Sequence, residues 1–138
     1  MVFELTVRVL DLFSGIGGFS LGLERAGMKT VAFCEQDDFC QKVLRKHWPN
    51  VPIHNDIKTL DGHQYNGSIE LVCGGYPCQP FSAAGKRRGQ DDDRHLWPEM
   101  FRVIKESKPN WVLCENVANH VNLGFEFVLS RSEERRVG

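Results

Sequence analysis

Short apolar segments alternate along this chain with segments that have the residue spacing of amphipathic helices. The apolar run from Arg8 to Phe13 precedes a helical segment from Gly18 to Ala26, and Thr30 to Glu35 followed by Asp37 to His47 repeats the same order. This alternation favours successive β-α units and a parallel sheet over a β-sandwich. The sequence therefore predicts an α/β fold.

The second half of the chain continues the pattern after a less regular stretch. It is predicted to contain a turn-rich stretch over 50–67 with a weakly marked third strand, a buried strand over 69–73, a polar loop over 76–95, a helix over 98–108 and a strand over 110–114. Ligands of open α/β sheets bind beyond the carboxyl ends of the strands. We therefore expect the functional residues at those strand ends.

Composition limits the class of protein. The 138 residues suit one domain or part of a larger one, and 17 basic against 18 acidic residues leave no global positive field, so any nucleic-acid contact must be local. No apolar run approaches the roughly 18 residues of a membrane span, and Glu4 and Arg8 do not fit a signal peptide. Five cysteines without paired CxxC spacing disfavour disulfides and structural zinc. We expect a soluble, cytoplasmic protein with no metal and no membrane partner.

A glycine-rich turn joins the first predicted strand to the first helix, in Asp11-Leu-Phe-Ser-Gly15-Ile-Gly17-Gly18-Phe. Glycines there would let the backbone approach a ligand closely. Glu35 follows Gly15 by 20 residues, the spacing at which a carboxylate reaches ribose hydroxyls in nucleotide-binding folds. Because residue 20 is serine, the motif is not GxGxxG, and an ordinary tight turn is an open alternative.

Two short acidic motifs follow other predicted strands. In Asn55-Asp56-Ile57, the carboxylate could accept a hydrogen bond from the exocyclic amine of an adenine, although such a pair alone is usually a turn. In Glu115-Asn116-Val117, a carboxyl group at the end of a buried strand would tend to stay protonated and could donate a proton. A helix cap or a solvated acid is the alternative for Glu115.

The segment from Gly74 to Ser82 contains the candidate nucleophile, Cys78. Flanking prolines and preceding glycines suit an exposed thiol held in one direction. The apolar neighbours of Cys34, Cys73 and Cys114 predict buried thiols instead. Further along the loop, the basic triplet Lys86, Arg87 and Arg88 could contact phosphates. The acidic triplet at 91–93 partly cancels its charge, and a solvated face is the alternative.

Together these segments resemble the cytosine-5 DNA methyltransferase family. The matching pieces, in family order, are DLFSGIGGF (11–19), Glu35, NDI (55–57), GGYPCQPFSAAGKRRG (74–89), DDDRHLW (91–97) and ENV (115–117), and the resemblance covers about residues 8–129. It implies a Rossmann-like S-adenosyl-L-methionine-dependent methyltransferase fold, with a doubly wound, mostly parallel sheet that is incomplete in this chain.

The resemblance also implies the cofactor, S-adenosyl-L-methionine, and the residues that would bind it. Those expected along its methionine and ribose side are Phe13, Gly15, Ile16, Gly17, Gly18 and Glu35; those expected around the adenine and the sulfonium are Gln36, Asp56, Ile57, Gly75, Pro77 and Leu96. Gln36 stands where the family often has an aromatic residue.

The same resemblance assigns the chemistry to two residues. Cys78 would add to C6 of a flipped cytosine, and Glu115 would donate to N3. The loop from Phe81 to Arg94 would close over the base of double-stranded DNA, with phosphate contacts expected from Ser82, Lys86, Arg87 and Arg88.

Several expectations follow from what the chain does not contain. We interpret 1–130 as the N-terminal part of the catalytic domain of a restriction-modification type methyltransferase, 131–138 as an atypical or disordered tail, and the target-recognition region as absent. We expect an exposed apolar sheet edge that promotes self-association. The alternatives are a non-catalytic cofactor-binding fragment that needs a C-terminal complementing segment, and an RNA cytosine-5 methyltransferase; a nicotinamide-dependent oxidoreductase is disfavoured by Ser20.

Overall fold

A five-stranded parallel sheet forms the centre of the computed structural model, which describes residues 5–76 and 96–115. In chain order the elements are β1 (Arg8–Leu12), α1 (Gly18–Arg25), β2 (Lys29–Cys34), α2 (Asp38–His47), β3 (Ile53–His54), a 3₁₀ helix (Gly62–Tyr65), β4 (Leu71–Gly74), α3 (Trp97–Ser107) and β5 (Trp111–Cys114). The strand order is β3-β2-β1-β4-β5, so the chain winds outward from β1 in both directions. The prediction of an α/β fold with a parallel sheet is confirmed.

Helices cover both faces of the sheet because alternate residues of each strand face opposite sides. Leu10 and Leu12 belong to a core cluster with Met100 and Val103 of α3. Val9 instead packs with residues of α1, and Phe33 contacts Trp48, directly after α2, with ring centroids 5.3 Å apart. The sheet is therefore doubly wound, as predicted.

Local chemistry sets the ends of the helices. The Asp37 side chain accepts a hydrogen bond from the backbone N–H of Cys40 and caps α2, while Pro98 occupies the first turn of α3. Lys108 ends α3 in a left-handed conformation with φ 49°. The predicted helices and strands agree with these bounds to within two residues, and the weakly marked third strand is only two residues long.

Strand β5 forms one edge of the sheet within the described residues, and it is more exposed than predicted. Trp111 is 70% exposed, and Val112 and Leu113 are also exposed. The expected apolar edge is present in this part of the chain, whereas self-association stays a prediction. Cys34 and Cys73 are buried as predicted, but Cys114 is exposed, because β5 pairs only with β4 among the described residues and its other edge is open. In 5–76 and 96–115, no helix is long and apolar enough to cross a membrane.

Candidate functional site

A cavity of about 240 Å³ lies beyond the carboxyl ends of β1 to β4, where the sequence places the site. Its lining combines apolar side chains with one carboxylate, two amides and two glycines: Phe13, Gly15, Cys34, Glu35, Gln36, Asn55, Ile57, Gly75 and Leu96. Seven of these were predicted cofactor contacts, and Cys34 and Asn55 were not. Burial raises the pKa of the Cys34 thiol to about 12, so this thiol is a neutral part of the wall.

The turn after β1 is held in an uncommon backbone conformation. Phe13 has φ 52°, in the left-handed region that a bulky residue rarely adopts, and Gly15 has φ 57°. Ser14 fixes the turn to the sheet, since its N–H donates to the carbonyl of Cys34 at 3.1 Å and its hydroxyl donates to the carbonyl of Asp11 at 2.7 Å. The aromatic side chain in the cavity wall thus rests on a backbone that several hydrogen bonds constrain.

Glu35 joins the two loops that border the cavity. Its Oε2 accepts from the backbone N–H of Gly15 at 2.7 Å, and its Oε1 accepts from the N–H of Asp37 at 2.8 Å. Each carboxylate oxygen can accept more than one hydrogen bond. The carboxylate is therefore fixed by backbone and still able to bind a ligand's hydroxyl groups.

A buried carboxyl group lies beneath this turn. Asp11 is fully buried, and its Oδ2 accepts from Ser20 Oγ at 2.6 Å; Ser20 Oγ in turn accepts from Thr30 Oγ1 at 2.7 Å. The other oxygen, Oδ1, is buried and has no hydrogen-bond partner among the described residues. Burial raises the pKa of Asp11 to about 6, although the Ser20 hydroxyl opposes the shift.

Arg102 anchors the opposite wall of the cavity to α3. Its guanidinium donates to the carbonyls of Ile57 at 2.7 Å and Leu60 at 2.8 Å, and it pairs with the carboxylates of Glu99 and Glu106. One planar group thus holds the segment that follows β3. The sequence offered no signal for this contact, because 42 and 45 residues separate the partners along the chain.

Glu106 also belongs to a cluster with Asp61 and His63, whose candidate ligand atoms lie within 4.8 Å of one another. His63 Nδ1 is 2.9 Å from Asp61 Oδ1, and Arg102 binds Glu106 directly. These groups form a polar network between the 3₁₀ helix and α3.

Gly75 brings the end of β4 against the side chain of Glu115. A Cβ at Gly75 would lie 2.8 Å from Glu115 Oε2, so a side chain at this position would displace that carboxylate. The N–H of Glu115 donates to the carbonyl of Gly74 at 3.2 Å. Glu115 is exposed among the described residues, and the buried strand from which we predicted its protonation is not found, because β5 is an uncovered edge.

Three predicted cofactor residues line a different cavity. Ile16, Gly17 and Gly18 border a space of about 420 Å³ between α1 and α2. A Cβ at Gly17 would lie 2.6 Å from Cζ3 of Trp48, which shows that this glycine is needed for indole packing. Asp56 is not in the lining of the first cavity; its Oδ1 accepts from the N–H of Lys58 at 2.9 Å. Cofactor contacts of these four residues stay predictions.

The remaining predicted site residues lie outside the described residues. They are Pro77, Cys78, Ser82, Lys86, Arg87 and Arg88. Their assignments as cofactor contact, nucleophile and phosphate contacts stay predictions.

The sequence is similar to bacterial Type II methyltransferases. It is 48% identical over 111 residues to the Type II methyltransferase M.PspPI of Psychrobacter sp., covering 79% of this chain and 27% of that protein. It is 44% identical over 119 residues to the Type II methyltransferase M.NgoMIV of Neisseria gonorrhoeae, covering 85% of this chain and 38% of that protein. The chain thus spans well under half the length of these relatives.

The fold is also found in solved methyltransferase structures. An Escherichia coli structure described as a DNA modification methyltransferase encoded within a prophage matches with a TM-score of 0.77 and 28% identity, covering 94% of this chain and 37% of that one. Spodoptera frugiperda DNMT2 matches with a TM-score of 0.73 at 22% identity, over 94% and 41% of the two chains, and shares the fold. The family model for C-5 cytosine-specific DNA methylases matches residues 7–129. The chain therefore belongs to the C-5 cytosine-specific DNA methylase family.

Proposed function

We propose that this chain is the cofactor-binding and nucleophile-bearing part of a restriction-modification type enzyme that methylates C5 of cytosine in double-stranded DNA. The observation that carries the proposal is the Glu35 carboxylate, held by the N–H groups of Gly15 and Asp37 at the cavity beyond the sheet. Family membership supplies the reaction class. The proposal extends this class to the chain's own activity and substrate; the relatives are more than twice as long as the chain.

The cavity fits S-adenosyl-L-methionine by the chemistry of its lining. Apolar walls from Ile57 and Leu96 suit the flat base, Phe13 suits the ribose side, and the anchored Glu35 carboxylate suits the paired ribose hydroxyls. When bound, this cofactor supplies an electrophilic methyl group on a sulfonium. We expect Gly75 to border the reactive end, because it lines the cavity and lies against Glu115, the candidate catalytic carboxyl.

Cytosine C5 is a weak nucleophile until C6 is attacked. In the proposed mechanism the thiolate of Cys78 forms a bond from Sγ to C6, and the electron pair of the C5–C6 double bond becomes available at C5. A protonated Glu115 would donate to N3 and stabilise the charge that moves into the ring. C5 would then take the methyl group as its bond to the sulfonium breaks and that electron pair stays on sulfur. Loss of the C5 proton to a base would re-form the double bond, expel the Cys78 thiolate and return the N3 proton to Glu115.

The target cytosine must leave the duplex for this attack. Unstacking a base costs a few kcal/mol, which contacts to phosphates must offset. We assign that task to the loop over 81–94, with Ser82 and the basic triplet at 86–88 as the phosphate contacts. Sequence recognition would need parts of the enzyme beyond this chain, and a C-terminal segment that complements it is part of the proposal.

Cofactor binding is tested first, by calorimetry with S-adenosyl-L-homocysteine and S-adenosyl-L-methionine. We expect binding by the chain and a loss of about tenfold or more in Glu35→Gln, because the amide cannot accept from both neighbouring N–H groups and from ribose. Asp38→Asn, an exposed acid in the same region, is the matched control and should bind normally. Equal affinity of the two variants would contradict the proposed site.

Catalysis is tested by trapping on DNA that contains 5-fluorocytosine, where the C5 substituent cannot leave as a proton. We expect a denaturant-stable adduct with the chain, alone or together with the separately expressed C-terminal segment of a relative, and none with Cys78→Ser. An adduct with structured RNA but not with duplex DNA would replace the DNA substrate by RNA. Intact cofactor binding with no adduct under any of these conditions would reduce the chain to a cofactor-binding fragment.

A further inference from the structure

We infer that Asn55 is a specificity-determining residue whose amide NH₂ donates a hydrogen bond to a ring nitrogen of the cofactor's base. A chain of side-chain hydrogen bonds through Arg45 and Gln41 fixes the orientation of that amide. The inference rests on the proposed cofactor site and adds to it a residue that the family resemblance does not assign.

The orientation of Gln41 follows from the chemistry of its two outer partners. Gln41 is 6% exposed, and its Nε2 donates to the carbonyl of Glu35 at 2.6 Å, while its Oε1 accepts from Nη2 of Arg45 at 2.8 Å. A carbonyl can only accept and a guanidinium can only donate. The oxygen and nitrogen of the Gln41 amide therefore cannot be exchanged.

This orientation determines that of Asn55. Gln41 Nε2 lies 2.8 Å from the Asn55 side chain and arrives there as a donor, so Asn55 must present Oδ1 to it. The other end of the Asn55 amide is then Nδ2, a donor of two hydrogen bonds. In the described residues, Nδ2 has no hydrogen-bond partner. An exposed asparagine would otherwise be free to turn either end toward a ligand.

The position of Asn55 favours the base as its target. It directly follows β3, and it lines the cavity together with Ile57 and Gln36, on the far side of Glu35 from the glycine turn. The unsubstituted ring nitrogens of adenine accept hydrogen bonds, so a fixed NH₂ group can donate to one of them. A base with an N–H at the same position would bring two donors together and bind less well. A site built for one donor in this way discriminates against ligands that leave it unpaired.

The test measures binding of S-adenosyl-L-homocysteine and of its 1-deaza, 3-deaza and 7-deaza adenine analogues, each of which lacks one acceptor nitrogen. We expect the chain to bind one of the three analogues about 3- to 10-fold more weakly than the parent compound. Asn55→Asp keeps an acceptor for Gln41 but replaces the donor, so it should weaken binding of the parent by a similar factor and lose the discrimination. Asn66→Asp makes the same chemical change at an exposed residue outside the cavity. It should change neither the affinity for the parent compound nor the discrimination among the analogues.

A second variant examines the positioning role. Gln41→Met removes the donor that fixes Asn55, and we expect discrimination against the same analogue to fall at least twofold while far-ultraviolet circular dichroism stays unchanged. Unchanged discrimination in a folded Gln41→Met variant would overturn the positioning chain. The assignment to the base would be overturned if the parent chain and Asn55→Asp had the same relative affinities for the three deaza analogues. It would also be overturned if the loss in Asn55→Asp depended on the ribose hydroxyls of the ligand instead of its ring nitrogens. Failure of the parent chain to bind S-adenosyl-L-homocysteine at all would refute the proposed function itself.

Discussion

Replacing Asp11 by asparagine should stabilise the chain in a way that depends on pH. Asp11 is fully buried, and burial raises its pKa from 3.8 to about 6. Because the folded state binds this proton more tightly than the unfolded state, folding is favoured by protonation and loses free energy as the pH rises from about 4 to above 6. A pKa difference of this size between the folded and unfolded states corresponds to about 3 kcal/mol in the free energy of unfolding. The asparagine side chain would carry no charge and should escape that loss.

Urea unfolding of the chain and of Asp11→Asn between pH 4 and pH 8 measures the effect. Subtracting the two free energies of unfolding removes the other titrating groups, and we expect the difference to move by about 2 kcal/mol in favour of the variant as the pH rises. A difference between Asp11→Asn and the parent that stays constant, or moves against the variant, would show that Asp11 is not destabilised as an anion.

Three further substitutions test contacts of the site. Gly17→Ala should lower the free energy of unfolding by about 2 kcal/mol, because its Cβ would lie 2.6 Å from Trp48 and the backbone has φ 92°. The control Gly18→Ala should change the free energy of unfolding by no more than about 0.5 kcal/mol. Equal urea midpoints for the two variants would contradict the contact with Trp48. Gly75→Ala should leave the urea midpoint nearly unchanged, because a flexible carboxylate gives way, but abolish adduct trapping. Arg102→Lys should cost about 1 to 2 kcal/mol in urea unfolding, because an ammonium cannot span two carbonyls; an unchanged midpoint would argue against the anchor.

The order of elements and the place of the cavity could be predicted because both depend on short-range patterns. Apolar runs define the strands, and the glycine turn followed by Glu35 defines where two parallel strands end together. Phe13, Gly15 and Glu35 therefore appear in the lining as predicted. The bounds of β3 were uncertain because two residues carry almost no periodic signal.

The features that the sequence did not predict depend on contacts between distant parts of the chain. Gly17 belongs to a motif that predicts ligand contact, yet its partner is Trp48, which only the packing of α2 beside α1 brings near. Gln41 has the sequence context of a surface helix residue, and nothing local indicates that it binds the ends of β2 and β3. The burial of β5 was predicted from its apolar residues, but burial requires a covering element, which the described residues do not supply.

These long-range contacts share one arrangement that bears on binding. Gln41 fixes the loops after β2 and β3 from α2, and Arg102 fixes the segment after β3 from α3, so each helix contributes one polar side chain that donates to backbone carbonyls beside the cavity. Carbonyls in the segments that follow the strands lack sheet partners, and these donors bind them without filling the cavity. The walls are thereby ordered before any ligand enters, which lowers the entropic cost of binding. Variants of Gln41 and Arg102 should accordingly weaken cofactor binding chiefly through entropy, a loss that calorimetry separates from the enthalpic loss expected for Glu35→Gln.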